Sequence, residues 1–190
     1  MPEDVRVGQK LTAVRESLQL SVEQLAERSG CEAALIRRIE AGELVPSLAP
    51  LIRLSRALGV RLGTLLDDAG GLGPVVTRKD AAAGATRLKS LATGTGGPGA
   101  LDFFSLAPGK AARHMEPFLV TVHPGDGAPS THEGEELLYV LEGQVEIAYG
   151  QETHRLGPGD SIYYDSIVPH RVSAAGDADA RLLAVVYAPA

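Results

Sequence analysis

The chain has 190 residues, enough for one domain or for two small ones that each bury a core. A net charge of −6 argues against a non-specific nucleic-acid coat, and the single cysteine, Cys31, excludes an internal disulfide and any thiolate metal cluster. No apolar run reaches the length of a membrane span and the amino terminus lacks a secretion-signal pattern, so a cytoplasmic protein without a membrane partner is expected.

The charge is unevenly spread. Residues 1–66 carry nine Arg and Lys against eight Asp and Glu, whereas residues 67–190 carry nine against sixteen together with all five histidines. That split predicts two domains with different tasks.

Val7, Leu11, Val14 and Leu18 recur at helical spacing and predict a first helix from Val7 to Leu18. Ser21 opens a second helix, with Gln24 placed to complete a capping box, and Gly30 ends it. A third helix is expected from Glu32 to Ala41, closed by Gly42. Ser47 caps a fourth, along which Leu48, Leu51, Leu54 and Leu58 share one side, and Gly59 ends it. A short fifth helix over Arg61 to Leu66 completes an all-α bundle.

Within the second and third helices, Ala26 is small enough for close helix packing, Gly30 makes the turn, and Ile36 and Ile39 fill the inner face. The stretch "SVEQLAERSGCEAALIRRIEAGELVPSLAPLIRLSRALGV" resembles the XRE, or phage-repressor-like, helix-turn-helix family. The resemblance implies a double-stranded DNA operator as partner, with the third helix in the major groove. Ala33, Ala34, Arg37 and Arg38 fall at the base-reading positions, and Ser21 and Gln24 fall where the second helix meets phosphate. One bidentate arginine–guanine pair would give about 1–3 kcal/mol of discrimination. Cys31 stands at a buried packing position of that family.

"DDAGGLGP" reads as a linker. From Pro74 onward, short runs rich in Val, Leu, Ile, Tyr and Phe alternate with turn residues, which predicts a sandwich or barrel. "LEGQV" and "YGQET" are expected as hairpin turns, and "GPGD" as a turn feeding another strand. The expected boundaries are a helix-turn-helix domain over 1–66, a linker over 67–73 and a β domain over 74–190.

The β part resembles the cupins, most closely from Gly125 to His170. His132, Glu136 and Gly143 match the family's first motif, and "GPGDSIYYDSIVPH", ending in Pro169 and His170, matches the second. The resemblance implies a double-stranded β-helix barrel with His132, Glu136 and His170 converging inside it. The chain departs from the pattern where Ser130 takes the place of the first histidine and Ala174 that of a closing asparagine. Two imidazoles and one carboxylate remain, a donor set for divalent iron, zinc, nickel or manganese with open positions. The alternatives are that the same groups hydrogen-bond a small organic acid or amide directly, or that the site is empty. Tyr139, Tyr163 and Tyr164 are strand residues of which one faces the cavity. His123 is expected at an exposed strand end.

Together the two halves resemble bacterial transcriptional regulators that carry a cupin sensor. This implies a small-molecule effector and a homodimer formed through the cupin domain, because paired operator half-sites call for a two-fold reader. A rival reading is enzymatic. Epoxidases of phosphonate antibiotic biosynthesis share this order of domains, hold iron with two histidines and a carboxylate, and also lack the first histidine. Against that reading, "ALDFFSL" has phenylalanines where those enzymes have tyrosines.

Overall fold

Among the described residues five helices form the amino-terminal part: α1 (Glu3–Ser17), α2 (Val22–Ser29), α3 (Ala33–Glu40), α4 (Leu48–Ala57) and α5 (Leu62–Leu66). The computed structural model describes residues 3–44, 46–66, 72–79, 87–90, 101–110 and 113–189. Ser21 and Gln24 make the expected capping box: the Ser21 hydroxyl accepts from the Gln24 N–H at 3.1 Å, and the Gln24 side chain accepts from the Ser21 N–H at 2.8 Å. Gly30 then turns the chain at φ 64° into α3. Glu32 and Ala41, expected inside the third helix, are its caps. Ser47 stands at the N-cap of α4 but makes no capping bond through its side chain.

The apolar spacing translates into one core. Val7, Leu11, Leu25, Ile36, Ile39, Leu51, Leu54 and Leu58 are all buried, and Cys31 packs among them. Leu18 is the exception. It is 48% exposed, because α1 ends at Ser17 and Gln19 takes φ 56° to start the turn. A bidentate ion pair from Arg15 to Glu40 ties α1 to α3, at 2.6 and 3.0 Å.

Gly8, which the apolar spacing passes over, sets the approach of α1 to α3. A Cβ built there would lie 2.1 Å from the Ile39 carbonyl oxygen. Gly8→Ala would gain about 1 kcal/mol of helix propensity. It would also push the helices apart, and overpacking of this kind costs about 1–3 kcal/mol. The clash is with rigid backbone, so a net loss of about 1–2 kcal/mol is expected, read as an earlier urea midpoint at unchanged slope.

The remainder is antiparallel β structure: β1 (Arg87–Ser90), β2 (Leu101–Ser105), β3 (Met115–Val122), β4 (Glu135–Glu142), β5 (Val145–Tyr149), β6 (Glu152–Leu156), β7 (Ser161–Asp165), β8 (His170–Ala174) and β9 (Ala180–Tyr187). A six-stranded sheet runs β1-β2-β3-β9-β4-β7, and a three-stranded sheet runs β6-β5-β8. Alternate residues of β3, β4 and β9 point inward, among them Phe118, Val120, Leu138, Val140, Leu182 and Ala184. Phe103 meets Phe118 edge-on at 5.6 Å.

"YGQET" is a hairpin turn as expected, joining β5 to β6 with Gly150 at φ 58°. "GPGD" leads into β7 through Gly159 at φ 94°. "LEGQV" is not a hairpin. β4 pairs with β7 and β9 while β5 pairs with β6 and β8, so Gly143 carries the chain from one sheet to the other. The expected linker falls largely on residues 67–71, outside the described residues, as does most of "AAAGATRLKSLATGTGGPGA".

The helical part meets the β part through α4 and α5. Arg56 of α4 pairs with Glu133, and Gly63 of α5 lies against the buried Arg113–Glu116 ion pair, where a Cβ would come within 3.1 Å of the guanidinium. Among the described residues no helix is long and apolar enough to cross a membrane.

Candidate functional site

His132 and Glu136 are four residues apart, yet no helix joins them. His132 lies in the loop before β4, and Glu136 is the second residue of that strand. Gly134 between them has φ 111° and lets the chain double back. The His132 N–H donates to the Ser166 carbonyl at 3.1 Å, and the Ser166 N–H donates to the Gly134 carbonyl at 2.9 Å. β4 alternates with Glu136, Leu138 and Val140 inward, so the pleat delivers the carboxylate to the same interior. His170 opens β8, where its backbone bridges to Ser130.

Three buried side chains therefore converge. The ligand-capable atoms of His132, Glu136 and His170 all lie within 4.8 Å of one another. His132 Nε2 is 2.8 Å from Glu136 Oε1, His170 Nε2 is 3.5 Å from the same oxygen, and the two rings meet edge-on at 5.4 Å.

The hydrogen bonds around the cluster orient it. His132 Nδ1 lies 3.1 Å from the Glu133 carbonyl, and His170 Nδ1 lies 2.9 Å from the Val168 carbonyl. A carbonyl only accepts, so each Nδ1 carries the proton and each Nε2 faces the shared centre. For a neutral imidazole, this puts the Nε2 lone pair of His132 against a carboxylate that also only accepts. Such a contact repels unless positive charge sits between the two atoms, either as a second proton or as a cation. Fixing Nδ1 on a carbonyl so that Nε2 is presented inward is how metal-binding histidines are held. The donor set and its orientation thus fit a divalent metal.

Three hydroxyls complete the site. Tyr164 donates to Glu136 Oε2 at 2.9 Å, and Ser166 donates to Oε1 at 3.1 Å. Ser130 Oγ lies 2.9 Å from His170 Nε2. Burial works to raise the Glu136 pKa, but the hydrogen bonds and charges of His132 and His170 outweigh it and hold this carboxyl well below its usual range. Burial alone would lower the pKa of His170, whereas the bond to Glu136 and that carboxylate's charge raise it overall. Burial first, then the Glu136 charge, raises Tyr164 far above an ordinary phenol.

Ser166 is not expected from the sequence, Ser130 is expected there only in the place of a histidine, and Tyr164 is one of three tyrosines of which one is expected to face the cavity. Alternation could not choose between Tyr163 and Tyr164. The choice follows from register: Glu136 pairs with Tyr164 across β4 and β7, so both point inward while Tyr163 is 63% exposed. Tyr139 also faces outward. His123 sits just past β3 with Nδ1 2.9 Å from Asp179, which together with Asp102 raises its pKa, and it takes no part in the cluster.

In the helical part, Ser21, Gln24, Ala34, Arg37 and Arg38 are exposed and Ala33 is half-buried. Arg37 pairs with Glu23 of α2. The inner face of α3 is fully used by Ile36 and Ile39, which leaves both arginines outward.

Residues 6–69 match the family model of a helix-turn-helix domain, and residues 118–186 match that of a cupin domain. The transcriptional regulator PuuR of Escherichia coli is 25% identical over 175 residues, covering 90% of this chain and 89% of PuuR. The (S)-2-hydroxypropylphosphonic acid epoxidase of Streptomyces wedmorensis is 30% identical over 163 residues, covering 78% of this chain and 77% of the enzyme. The chain belongs to the helix-turn-helix–cupin family. That family embraces a curated regulator and a curated enzyme, so membership alone does not choose between the two activities. The fold of the whole helix-turn-helix–cupin chain is shared with an HTH_3-family transcriptional regulator from Vibrio cholerae, with a TM-score of 0.67 at 21% identity and coverage of 98% and 97%.

Proposed function

We propose that the chain is a DNA-binding transcriptional regulator whose cupin domain senses a small molecule, with a divalent metal at His132, Glu136 and His170. The carrying observation is the outward face of α3, where Ala33, Ala34, Arg37 and Arg38 stand free of the core at the turn that Ser21, Gln24 and Gly30 build. The domains are taken as 1–66 and 74–190, joined by 67–73, with the two sheets forming a double-stranded β-helix barrel. The near-complete overlap with PuuR supports the regulator reading. Two imidazoles and a carboxylate suit iron, zinc, nickel or manganese, and location in the cytoplasm follows from work on an operator.

Gel-shift titration against DNA upstream of the chain's own gene tests this. Affinity should fall steeply as salt rises. Arg38→Ala is expected to weaken specific binding by about 1–3 kcal/mol. Arg37→Ala should cost less, because that guanidinium must leave Glu23 to reach a base. Absence of any salt-sensitive complex would overturn the reading.

A homodimer through the cupin domain is supported by the outer face of the larger sheet. Leu137, Tyr139 and Leu141 of β4 and Tyr163 of β7 are each 38–63% exposed there, beside Leu183 and Val185 of β9. Leu137→Glu combined with Tyr139→Glu is expected to give a monomer by light scattering and to weaken operator binding. A dimer that survives both changes would place the interface elsewhere.

The epoxidase keeps a second reading open, because at 30% it is more identical to this chain than PuuR is and the cluster suits iron. Phe103 lines the cavity with hydrocarbon and offers an anion no hydroxyl. Ferrous loading followed by oxygen uptake with (S)-2-hydroxypropylphosphonic acid separates the readings: uptake coupled to product would favour the enzyme.

A further inference from the structure

The buried cluster opens into a cavity of about 250 Å³, and the β domain does not enclose it alone. Ser47, the first turn of α4 and Arg53 line it together with the 127–132 segment and the cluster. The helix-turn-helix domain thus lines the candidate sensor site directly. A second contact reinforces the link, since Arg56, one residue short of a turn beyond Arg53, pairs with Glu133, the neighbour of His132.

The charges in this cavity do not balance. Among the described residues Glu136 is its only carboxylate, and it is already taken by His132, His170, Tyr164 and Ser166. Arg53 lines the cavity with no ion-pair partner among the described residues. Arg171 also lines it; among the described residues its buried Nε has no hydrogen-bond partner and its only ion pair is a 3.6 Å contact to the exposed Asp126. A divalent metal would add to this positive excess. The rest of the wall mixes the hydroxyls of Ser47, Ser130 and Thr131 with an apolar part that includes Leu48, Pro50, Leu101, Phe103 and Val172. An inorganic anion would leave those groups unused. An organic anion would cover them and match the guanidinium fork with its carboxylate. The volume corresponds to roughly eight waters, the size of a small acid.

We propose that this interdomain cavity binds a small organic carboxylate, with Arg53 of α4 clamping its anionic end while the His132–Glu136–His170 cluster faces the rest of the molecule. Part of the effector site then belongs to the DNA-binding domain, and occupancy changes how α4 sits on the β domain. This second step rests on the regulator reading; the binding step does not. A ligand shifts operator affinity only if it binds the two placements of α4 unequally, and a contact from Arg53 itself supplies that inequality.

The test uses the full chain, with and without added zinc, and calorimetry with malonate, succinate and glutarate, with their diamides and inorganic phosphate as controls. At least one diacid should bind with a Kd below about 1 mM, the diamides should not, and phosphate should bind more weakly. Arg53→Ala should weaken the diacid by about tenfold or more, Arg53→Lys should lose less, and Arg155→Ala, on β6 outside the cavity, should bind as wild type. No binding by any diacid, or wild-type binding by Arg53→Ala, would overturn the site. The diacid that binds should also shift operator affinity in gel shifts, and this shift should vanish in Arg53→Ala. Operator affinity that ignores a bound diacid would overturn the coupling alone. A chain that binds the diacid but no DNA would end the regulator reading and leave the carboxylate site standing.

Discussion

Gly134→Ala is expected to dismantle the buried cluster while the helical domain stays folded. At φ 111° the residue occupies backbone space that side chains rarely enter, and an added Cβ would lie 1.9 Å from the Tyr187 carbonyl oxygen at the end of β9. The strained conformation costs about 1–3 kcal/mol by itself. The clash with backbone adds to it, because neither β4 nor β9 can move without disturbing the ladder between them. A total of about 3 kcal/mol or more is expected for the β domain. The loop carrying His132 would shift, and the bonds among His132, Gly134 and Ser166 would fail with it. Zinc stoichiometry by elemental analysis should fall well below that of the wild type, with an earlier urea transition. Gly159→Ala is the control. Gly159 also has positive φ, but nothing lies within 4 Å of its Cβ position, so only the strain is incurred. Equal zinc content in Gly134→Ala and wild type would refute the account of how His132 and Glu136 are brought together.

That turn also marks where the sequence stops being readable. The helices are legible because their signals are local: a capping box at Ser21 and Gln24, glycines at the ends, and apolar residues at turn spacing that, Leu18 apart, pack in or against the core. Gly8 is not legible in the same way. Its role depends on the Ile39 carbonyl of α3, thirty-one positions away, and nothing near Gly8 in the chain announces that carbonyl. The same limit explains "LEGQV". Two β runs flanking a glycine look like a hairpin, and only the pairing of β4 with β9 reveals that the chain leaves the sheet there. At the site, His132, Glu136 and His170 could be named from motif resemblance, whereas Tyr164 and Ser166 required the register of β4 against β7. Arg53 was invisible as a cavity residue because helical periodicity marks it only as an exposed position on α4. The residues that complete that cavity, among them His132 and Arg171, belong to the other domain.

Glu136→Gln is expected to abolish metal binding at a site whose shape it barely changes. Glutamine matches glutamate in size; its carbonyl oxygen in the Oε2 place accepts from Tyr164, and its amide NH2 in the Oε1 place donates to the His132 lone pair and to the Ser166 hydroxyl, so the cluster stays hydrogen-bonded. What disappears is the anion. Replacing groups that merely support a metal ligand costs 10–100-fold in affinity; losing the sole charged ligand should cost at least about a hundredfold. Unfolding experiments can read this without any assay of activity. A metal bound only by the folded chain adds about 2.7 kcal/mol when present at one hundred times its Kd. Added zinc should therefore raise the melting temperature of the wild type, and a chelator should reverse the rise. The melting temperature of Glu136→Gln should not respond to either. The same comparison distinguishes a metal site from an imidazolium–carboxylate pair that only supports the fold. If protons alone supplied the positive charge between His132 and Glu136, zinc would have no site to enter, and the wild-type melt would be as indifferent to zinc and chelator as that of the variant.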